Sequence, residues 1–437
     1  MDSCEISNLT ATESLLLKAQ GRIQSREFGE ACLNRIESLD DEIRAWVEWD
    51  KTADHKIPSS GPISGVPIAV KDIFHVCGFS TGYGAEYFGG INSRYDGAVV
   101  AQLRKAGAYL IGKTVTAEFA YLTPGPTCNP HCVSCTPGGS SSGSAAAVAA
   151  GMVPIALGTQ TAASIIRPAS FCGVIGFKPS HGILPMDGIL QFSNSLDTPG
   201  YFARSIADIA LIHGELMNFK GWLGQSPFRG PRAVGIQRLP SNGEVDGDMV
   251  RAIEAVAGLL EDAGVRVEVA PLPPKFDDLV AHHQTIIAYE GARSLFGYYQ
   301  AFGRDMSPEL ISLVERGLGC SEAQYICARI AAQALASELD GKIGQYDFFM
   351  GPAAPGGAPP GLSTTGNPVY SRAWTVAGLP ALSLPLGTSD TGLPLGIQLV
   401  GQRFRDFGLL KSGDWVLRRL IGEHGIVPTA NLPAILR

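Results

Sequence analysis

The sequence is poor in charged residues. Asp, Glu, Lys and Arg make up 17% of 437 residues, with a net charge of −7, below the roughly 25% typical of soluble proteins. It lacks a basic run with interleaved aromatics, so we expect no nucleic-acid partner. It also lacks a long apolar run: the longest, 145–157, contains Gly151 and Pro154. Such a run is too short to span a bilayer, so we expect no membrane partner.

Other sorting signals are also missing. The first residues show no basic segment ahead of an apolar core, so we expect no signal peptide. Nine cysteines, an odd count in a long chain, favour reduced thiols and a cytoplasmic location. No internal repeat or low-complexity linker interrupts the chain. A single domain over residues 1–437 is therefore the prediction.

Small residues crowd around serine at two places in the stretch 135–180. These are residues 138–144 (GGSSSGS) and residues 158–164 (GTQTAAS). Small residues let backbone N–H groups approach another atom closely, and a serine on such a turn can be a nucleophile beside an oxyanion site. The residues alone leave three interpretations: a catalytic centre, a phosphate cradle or tight packing.

A lysine lies within a short apolar strand, residues 65–74 (GVPIAVKDIF). An unpaired buried ammonium is costly, so Lys71 is either ion-paired or neutral. A neutral lysine can act as a general base. The adjacent Asp72 is one candidate ion-pair partner, and both interpretations stay open.

Two motif matches suggest other chemistry. Residues 107–114 (GAYLIGKT) match the Walker A pattern, but here a predicted helix precedes a strand, the reverse of a P-loop. Residues 128–135 (CNPHCVSC) have spacing compatible with an iron–sulfur cluster, and His131 could bind a metal. No further cysteine cluster supports that, so free thiols are favoured. We expect no cofactor and no metal.

The order of predicted elements indicates an α/β protein. Residues 233–271 alternate strand, helix and strand, which is typical of a sheet covered by helices. Residues 275–345 are mostly helical without a motif, a variable segment that could cap the active site. Residues 346–402 return to strands.

Four ordered blocks together resemble the amidase signature family. They are residues 65–74, 137–151 (PGGSSSGSAAAVAAG), 158–180 (GTQTAASIIRPASFCGVIGFKPS) and 196–210 (LDTPGYFARSIADIA). Residues 374–404 (WTVAGLPALSLPLGTSDTGLPLGIQLVGQRF) are similar to the closing segment of that family. The resemblance covers roughly residues 10–215 and 346–415, with a signature core at 60–215. It implies the amidase signature fold, a large mixed twisted β-sheet flanked on both faces by α-helices. It also implies amide hydrolysis by a Ser–Ser–Lys triad without histidine.

The resemblance assigns the triad to Lys71, Ser140 and Ser164. In the family, the first serine follows an unusual cis peptide and the second is the nucleophile. A serine hydroxyl needs a base. Neutral Lys71 would take a proton from Ser140, and Ser140 one from Ser164, which attacks the amide carbon. The acyl-enzyme is then hydrolysed by the same relay.

The turn at the nucleophile departs from the family pattern. Its backbone N–H groups, from Thr161, Ala162, Ala163 and Ser164, are the implied oxyanion hole. The family usually has Thr-Gly-Gly-Ser there, whereas this chain has two alanines. If those positions needed positive φ, alanine would cost about 1 kcal/mol each. Even without strain, the two methyl groups would narrow the site.

The position of an arginine is the second departure. Arg167 follows Ser164 by three residues and the turn reads GTQT, which is more similar to malonamidase-type members. There the arginine binds a substrate carboxylate, a task suited to its bidentate fork. The alternative for Arg167 is a structural pairing beside Pro168.

These observations predict an amidohydrolase that cleaves the C–N bond of a small carboxamide, with carboxylate-bearing amides among the expected substrates. Two alternatives remain: the A subunit of a tRNA-dependent amidotransferase, and a catalytically impaired amidase-fold binding protein. The expected partner is a small-molecule amide, and the expected oligomer is a homodimer.

Overall fold

The computed structural model describes residues 1–51, 57–219, 228–237 and 244–424. The helices in these residues are α1 Ser3–Ser7, α2 Ala11–Ala19, α3 Ser25–Ile43, α4 Ala98–Lys105, α5 Ser142–Ala149, α6 Ile166–Phe171, α7 Ile206–Leu216, α8 Gly247–Asp262, α9 Asp278–Phe302, α10 Pro308–Gly319, α11 Glu322–Ile343, α12 Val369–Val376 and α13 Asp406–His424. The strands are β1 Trp46–Trp49, β2 Pro67–Lys71, β3 Ser80–Thr81, β4 Ile91–Asn92, β5 Tyr109–Thr114, β6 Ile155–Gln160, β7 Ile175–Lys178, β8 Thr198–Ala203, β9 Ala233–Ile236, β10 Arg266–Val269, β11 Phe348–Pro352, β12 Ala381–Thr388 and β13 Pro394–Val400. None of the described helices is long and apolar enough to cross a membrane.

One large sheet organises the described chain. Its eleven strands lie in the order β1-β5-β2-β6-β8-β7-β12-β13-β11-β9-β10, and β3 and β4 form a separate pair. β2 is parallel to both β5 and β6, whereas β8 is antiparallel to β6 and β7. The sheet is therefore mixed, as the resemblance implied.

Alternate side chains of the central strands enter different apolar cores. Ile68 and Val70 of β2 belong to one core, whereas Ala69 between them belongs to a second. Because successive strand residues point to opposite faces, helices must cover both sides of the sheet. The predicted fold class is confirmed.

One local pattern was misleading, and another was correctly discounted. The sequence of residues 197–215 predicts a turn followed by a helix, yet β8, which contains Pro199 and Gly200, occupies Thr198–Ala203 and is buried throughout. The false Walker A motif is the strand β5, preceded by α4, as its order predicted. Neighbouring strands therefore override turn-forming residues at the centre of this sheet.

The strand directions bring three segments to one edge of the sheet. β2 ends at Lys71 and the parallel strand β6 ends at Gln160. The carboxyl ends of parallel neighbours meet at the same edge. Gln160 pairs with Thr198 of the antiparallel strand β8, so the residue before that strand, Asp197, lies at this edge as well.

Candidate active site

Lys71 and Ser140 are in direct contact. Lys71 Nζ lies 2.8 Å from Ser140 Oγ and 3.1 Å from Thr159 Oγ1. Both Lys71 and Ser140 are buried. In the neutral amine, the lone pair can accept from the Ser140 hydroxyl while an N–H donates to Thr159.

The environment of Lys71 favours its neutral form. Burial lowers the pKa of Lys71 to about 7, and the negative charge of Asp197 acts in the opposite direction. The adjacent Asp72 does not pair with it: Asp72 Oδ1 lies 2.7 Å from Lys113 Nζ. Lys113 comes from the false Walker A motif and is fully buried in β5. Lys71, the last residue of β2, thus provides a titratable amine, whereas Asp72, which follows the strand, forms an ion pair with Lys113.

The glycine pair before Ser140 allows a close approach between backbones. Gly138 has φ +81°, and a Cβ there would lie 2.8 Å from Pro168 Cα in α6. The peptide bond between Gly139 and Ser140 is cis. The backbone oxygen of Ser140 accepts from the N–H of Ala117 at 3.0 Å. Small residues therefore let residues 138–140, called the serine loop below, pack directly on α6.

Three buried side chains fix the turn after β6, two of them through its carbonyl groups and one through the N–H groups that follow it. His283 Nε2 lies 2.9 Å from Thr161 O, and Thr375 Oγ1 lies 2.8 Å from Ala162 O. Gln160 Oε1 accepts from the backbone N–H groups of the two residues after Ser164, at 2.9 and 3.0 Å. Burial lowers the pKa of His283 to about 4. Its imidazole is therefore neutral near pH 7, with the proton on Nε2 for donation to the carbonyl.

The same turn leaves its own N–H groups available. Within the described residues, the backbone N–H groups of Ala162, Ala163 and Ser164 meet no acceptor. Neither alanine is among the described non-glycine residues with positive φ. The two alanines therefore carry no backbone strain from positive φ. Their remaining effect is that the methyl groups occupy volume in the site.

Ser164 lies apart from the Lys71–Ser140 contact. Its side chain lines a cavity of about 220 Å³, whereas neither Lys71 nor Ser140 does. No hydrogen bond joins Ser140 Oγ to Ser164 Oγ in the described part of the chain. The structure therefore places one serine at the cavity and the other beside the lysine. Hydrogen bonds of a catalytic relay are often long until substrate is bound.

Asp197 supports the turn from the other side. Its carboxylate accepts from the Thr161 hydroxyl at 2.6 Å and from the backbone N–H groups of Phe192 and Ser193 at 2.7 and 2.8 Å. Burial raises the pKa of Asp197 to about 7 despite these hydrogen bonds. Asp197 is thus the negative group whose charge acts on Lys71.

The guanidinium of Arg167 donates hydrogen bonds to other residues of the protein. Its Nη1 donates to Gly366 O at 2.7 Å, and its Nη2 donates to Gly139 O at 2.6 Å and to Thr365 Oγ1 at 3.0 Å. Its Nε is buried without a partner. Burial, then the nearby positive charge of Arg372, lowers the pKa of Arg167 to about 9. The residue lines the cavity, but its bonds tie the serine loop to residues 365–366.

The cavity lies between the turn that contains Ser164 and a wall of helices. Tyr121 and Phe192 stack on one side with ring centroids 5.5 Å apart. α9, α10 and α12 supply residues of the lining, including His283, Arg316 and Arg372. The motif-free helical segment therefore contributes directly to the site.

The cysteine motif does not form a metal centre in the structure. Cys132 and Cys135 lie together, whereas Cys128 contacts Arg44 Nη2 at 3.0 Å. No cluster of three or more His, Cys, Asp or Glu side chains in the described ranges could hold a metal ion. The cysteines of this loop form no disulfide in the structure, and the absence of an iron–sulfur cluster stays a prediction.

Sequence reasoning missed the residues that hold the nucleophile turn. Asp197 belongs to a block that carried the resemblance, so a signal for it existed. Gln160 lies in the GTQT turn but had no assigned role. Thr375 lies in the segment 374–404 that also carried the resemblance, so a signal existed for it too. His283 lies in the motif-free segment 275–345, and its contact joins residues 122 positions apart.

A mixed sheet with a buried lysine, two serines and free turn N–H groups at one edge defines an amidase-type hydrolase. The family comparison agrees. The Amidase family model matches residues 27–410, and this chain belongs to the amidase signature family.

Known relatives cover nearly the whole chain. The A subunit of the glutamyl-tRNA(Gln) amidotransferase of Lachnospira eligens is 30% identical over 92% of this chain and 96% of its own. The solved A subunit of the same kind of amidotransferase from Thermotoga maritima has a TM-score of 0.83 and 26% identity, covering 98% of each chain. The native peptide amidase from Stenotrophomonas maltophilia has a TM-score of 0.80 and 27% identity, covering 94% of this chain and 96% of its own.

Proposed function

We propose that this amidase-family enzyme hydrolyses the C–N bond of a small carboxamide through an acyl-enzyme on Ser164. The observation that carries the proposal is the contact between the buried Lys71 amine and Ser140 Oγ at 2.8 Å. A lysine with a pKa of about 7 is available as a base at neutral pH. The end of the relay nearest the cavity is Ser164, which is buried but lines the cavity.

The proposed reaction has two halves. Lys71 accepts the proton of Ser140, Ser140 accepts that of Ser164, and Ser164 Oγ bonds to the amide carbon. The free N–H groups of residues 162–164 stabilise the resulting oxyanion, a contribution of about 3–4 kcal/mol for one such donor elsewhere. Ser140 then returns a proton to the leaving nitrogen as the C–N bond breaks. Water repeats the sequence on the ester and releases the acid.

The roles of the surrounding residues follow from their contacts. His283 and Thr375 hold the carbonyl groups of the turn, so that its N–H groups stay free for the oxyanion. Arg167 holds the backbone of the serine loop through Gly139 O. The helical segment 275–345 caps the active site in this proposal, since α9 and α10 line the cavity.

The test is a screen for ammonia or amine release over small aliphatic, aromatic and acidic amides, with the Ser164→Ala variant as the blank. We expect turnover by the wild type and none above background by the variant. A matched control is Ser144→Ala, which alters a buried serine that hydrogen-bonds Leu157 O instead. Turnover in Ser164→Ala would refute the nucleophile assignment.

A second candidate function is the A subunit of a tRNA-dependent amidotransferase. The names of the 30% identical relatives favour it, and the malonamidase-like position of Arg167 opposes it. Glutamine in the amide screen separates the two, because an amidotransferase A subunit should release ammonia from glutamine when its partner proteins are added. Light scattering distinguishes the predicted homodimer from a chain that is monomeric alone. No turnover of any amide would instead favour a catalytically impaired binding protein.

A further inference from the structure

The cavity at Ser164 has a strongly basic lining. Arg167, Arg316 and Arg372 contribute to it, and none of its lining residues is Asp or Glu. Its volume of about 220 Å³ lies below the roughly 300–1,000 Å³ of pockets for drug-sized ligands. A small compartment with this charge suits a short anionic molecule.

Among the arginines that line the cavity, Arg372 is partly buried and has no acidic partner. It lies on α12, and within the described residues no carboxylate or other hydrogen-bond acceptor contacts its guanidinium. Its Nε is buried without a partner. Leaving a buried charged donor unpaired is unfavourable, so an anion brought by a ligand would satisfy it.

Arg316 continues the positive charge of the cavity towards solvent. It lies in the last turn of α10, is exposed, and forms no ion pair in the ranges that the structure describes. It also lines a wider open groove of about 690 Å³ between α9, α10 and α11. Arg316 therefore lies where the closed cavity and the open groove meet, a position suited to attracting an anion before Arg372 binds it.

The basic groups act on one another without a compensating anion. After burial, the charge of Arg372 is the next cause that lowers the pKa of both Arg167 and His283. Burial lowers the pKa of Arg372 as well, and the charge of Arg316 adds to that effect. A bound carboxylate would place a negative charge beside these groups, which raises their pKa values where the neighbouring positive charges lower them.

Resting on the proposed function, we propose that Arg372, assisted by Arg316, binds the carboxylate of a short acidic amide whose carboxamide end reaches Ser164. The substrate class is the monoamides of small dicarboxylic acids. This places the anion site on the helical wall and not at Arg167, whose donors already contact Gly139 O, Thr365 Oγ1 and Gly366 O. A guanidinium fork matches a carboxylate in a bidentate manner.

The kinetic experiment compares the monoamides of malonic, succinic and glutaric acid with the corresponding neutral diamides. We expect the wild type to prefer the monoamides, and Arg372→Gln to reduce the ratio of the two kcat/KM values by about 10²-fold. Arg316→Gln should reduce it less, and Arg372→Lys should recover part of it. The control is Arg251→Gln, which removes an exposed ion pair outside the cavity. An unchanged ratio in Arg372→Gln would overturn the assignment.

A binding measurement separates this inference from the proposed function. Calorimetry with succinate uses Ser164→Ala, alone and combined with Arg372→Gln. Weaker binding in the double variant supports the anion site even if the wild type hydrolyses no amide, in which case only the proposed function fails. Equal binding, or none, in the two proteins overturns the anion site even if neutral amides are hydrolysed.

Discussion

The two walls of the cavity are built in opposite ways. At the sheet edge, Lys71, Ser140, Thr161 and Asp197 have hydrogen-bond partners, and burial brings the pKa of Lys71 and of Asp197 to about 7. On the helical wall, Arg372 and Arg316 are charged and no acid opposes them among the residues that line the cavity. On the first wall the charged and titratable groups already have protein partners and only the N–H groups of residues 162–164 lack an acceptor, whereas the second wall has unopposed positive charge.

This difference separates reaction from recognition. A relay must be preorganised before substrate arrives, since fixed dipoles cost no reorganisation during the reaction. A recognition site obtains its energy from groups that become paired only on binding. Variants at the sheet edge should therefore affect all amides alike, whereas variants on the helical wall should discriminate among them.

The largest effect is expected for Lys71→Ala. Removing the base should lower kcat at least ~10³-fold for acidic and neutral amides equally, as for members of comparable triads. Steady-state kinetics on one amide of each kind measures this, with circular dichroism to confirm folding. A loss confined to acidic amides would show that Lys71 acts in substrate binding. That result would contradict the assignment of reaction to the sheet edge and of substrate recognition to the helical wall.

The pH dependence of the wild type should follow the Lys71 amine. Below its pKa of about 7 the amine holds a proton and cannot accept another, so the rate falls as pH falls and reaches a plateau above it. Asp197 titrates in the same range, so the apparent midpoint belongs to the pair. The check is kcat/KM for a neutral amide; a rate that stayed constant from about pH 5 to about pH 9 would contradict a lysine base.

Arg167→Lys should have an intermediate effect. Lysine cannot span Gly139 O, Thr365 Oγ1 and Gly366 O together, so the serine loop should shift. A displacement of about 1 Å can cost ~10²-fold in rate. We expect kcat to fall for acidic and neutral amides by the same factor, in contrast to the selective effect of Arg372→Gln. If instead only the acidic amides were affected, Arg167 would be the carboxylate ligand predicted from its sequence position.

The smallest effects are expected at the two alanines. Ala162 lines the cavity, whereas Ala163 is buried and does not. Ala162→Gly should therefore raise kcat/KM for bulkier amides a few-fold, and Ala163→Gly should mainly lower stability by roughly 0.5–1 kcal/mol through chain entropy. Kinetics over amides of increasing size and thermal unfolding distinguish the two. Identical behaviour of both variants would argue against a role for the Ala162 methyl group in pocket size.

The sequence predicted the sheet edge better than the helical wall. Lys71, Ser140 and Ser164 lie in short motifs where residue type and order reflect local chemistry, and the structure places the first two in contact. Their catalytic roles stay predictions. The partner of Asp72 could not be inferred, because Lys113 reaches it from another strand, inside a motif that suggested phosphate binding.

There is a physical reason why the arginines of the helical wall could not be identified from the sequence. Arg372 and Arg316 lie on surface-like amphipathic helices, where an arginine is ordinary and only the tertiary contacts show that no acid faces it within the described chain. Arg167 illustrates the converse. Its spacing from Ser164 favoured a ligand role, but the carbonyl groups that it contacts come from residues 28 and 199 positions away in the chain.

The hydrogen bond from His283 to Thr161 O crosses between the two walls. It has a consequence for building chimeric enzymes. Exchanging the segment containing α9 and α10 with that of a relative would replace Arg316 but leave Arg372, which lies on α12, so only the assisting part of the proposed anion site would change. The exchange would also replace the imidazole that orients the nucleophile turn. A transplanted segment should therefore be active only if its α9 carries a neutral donor at the position of His283.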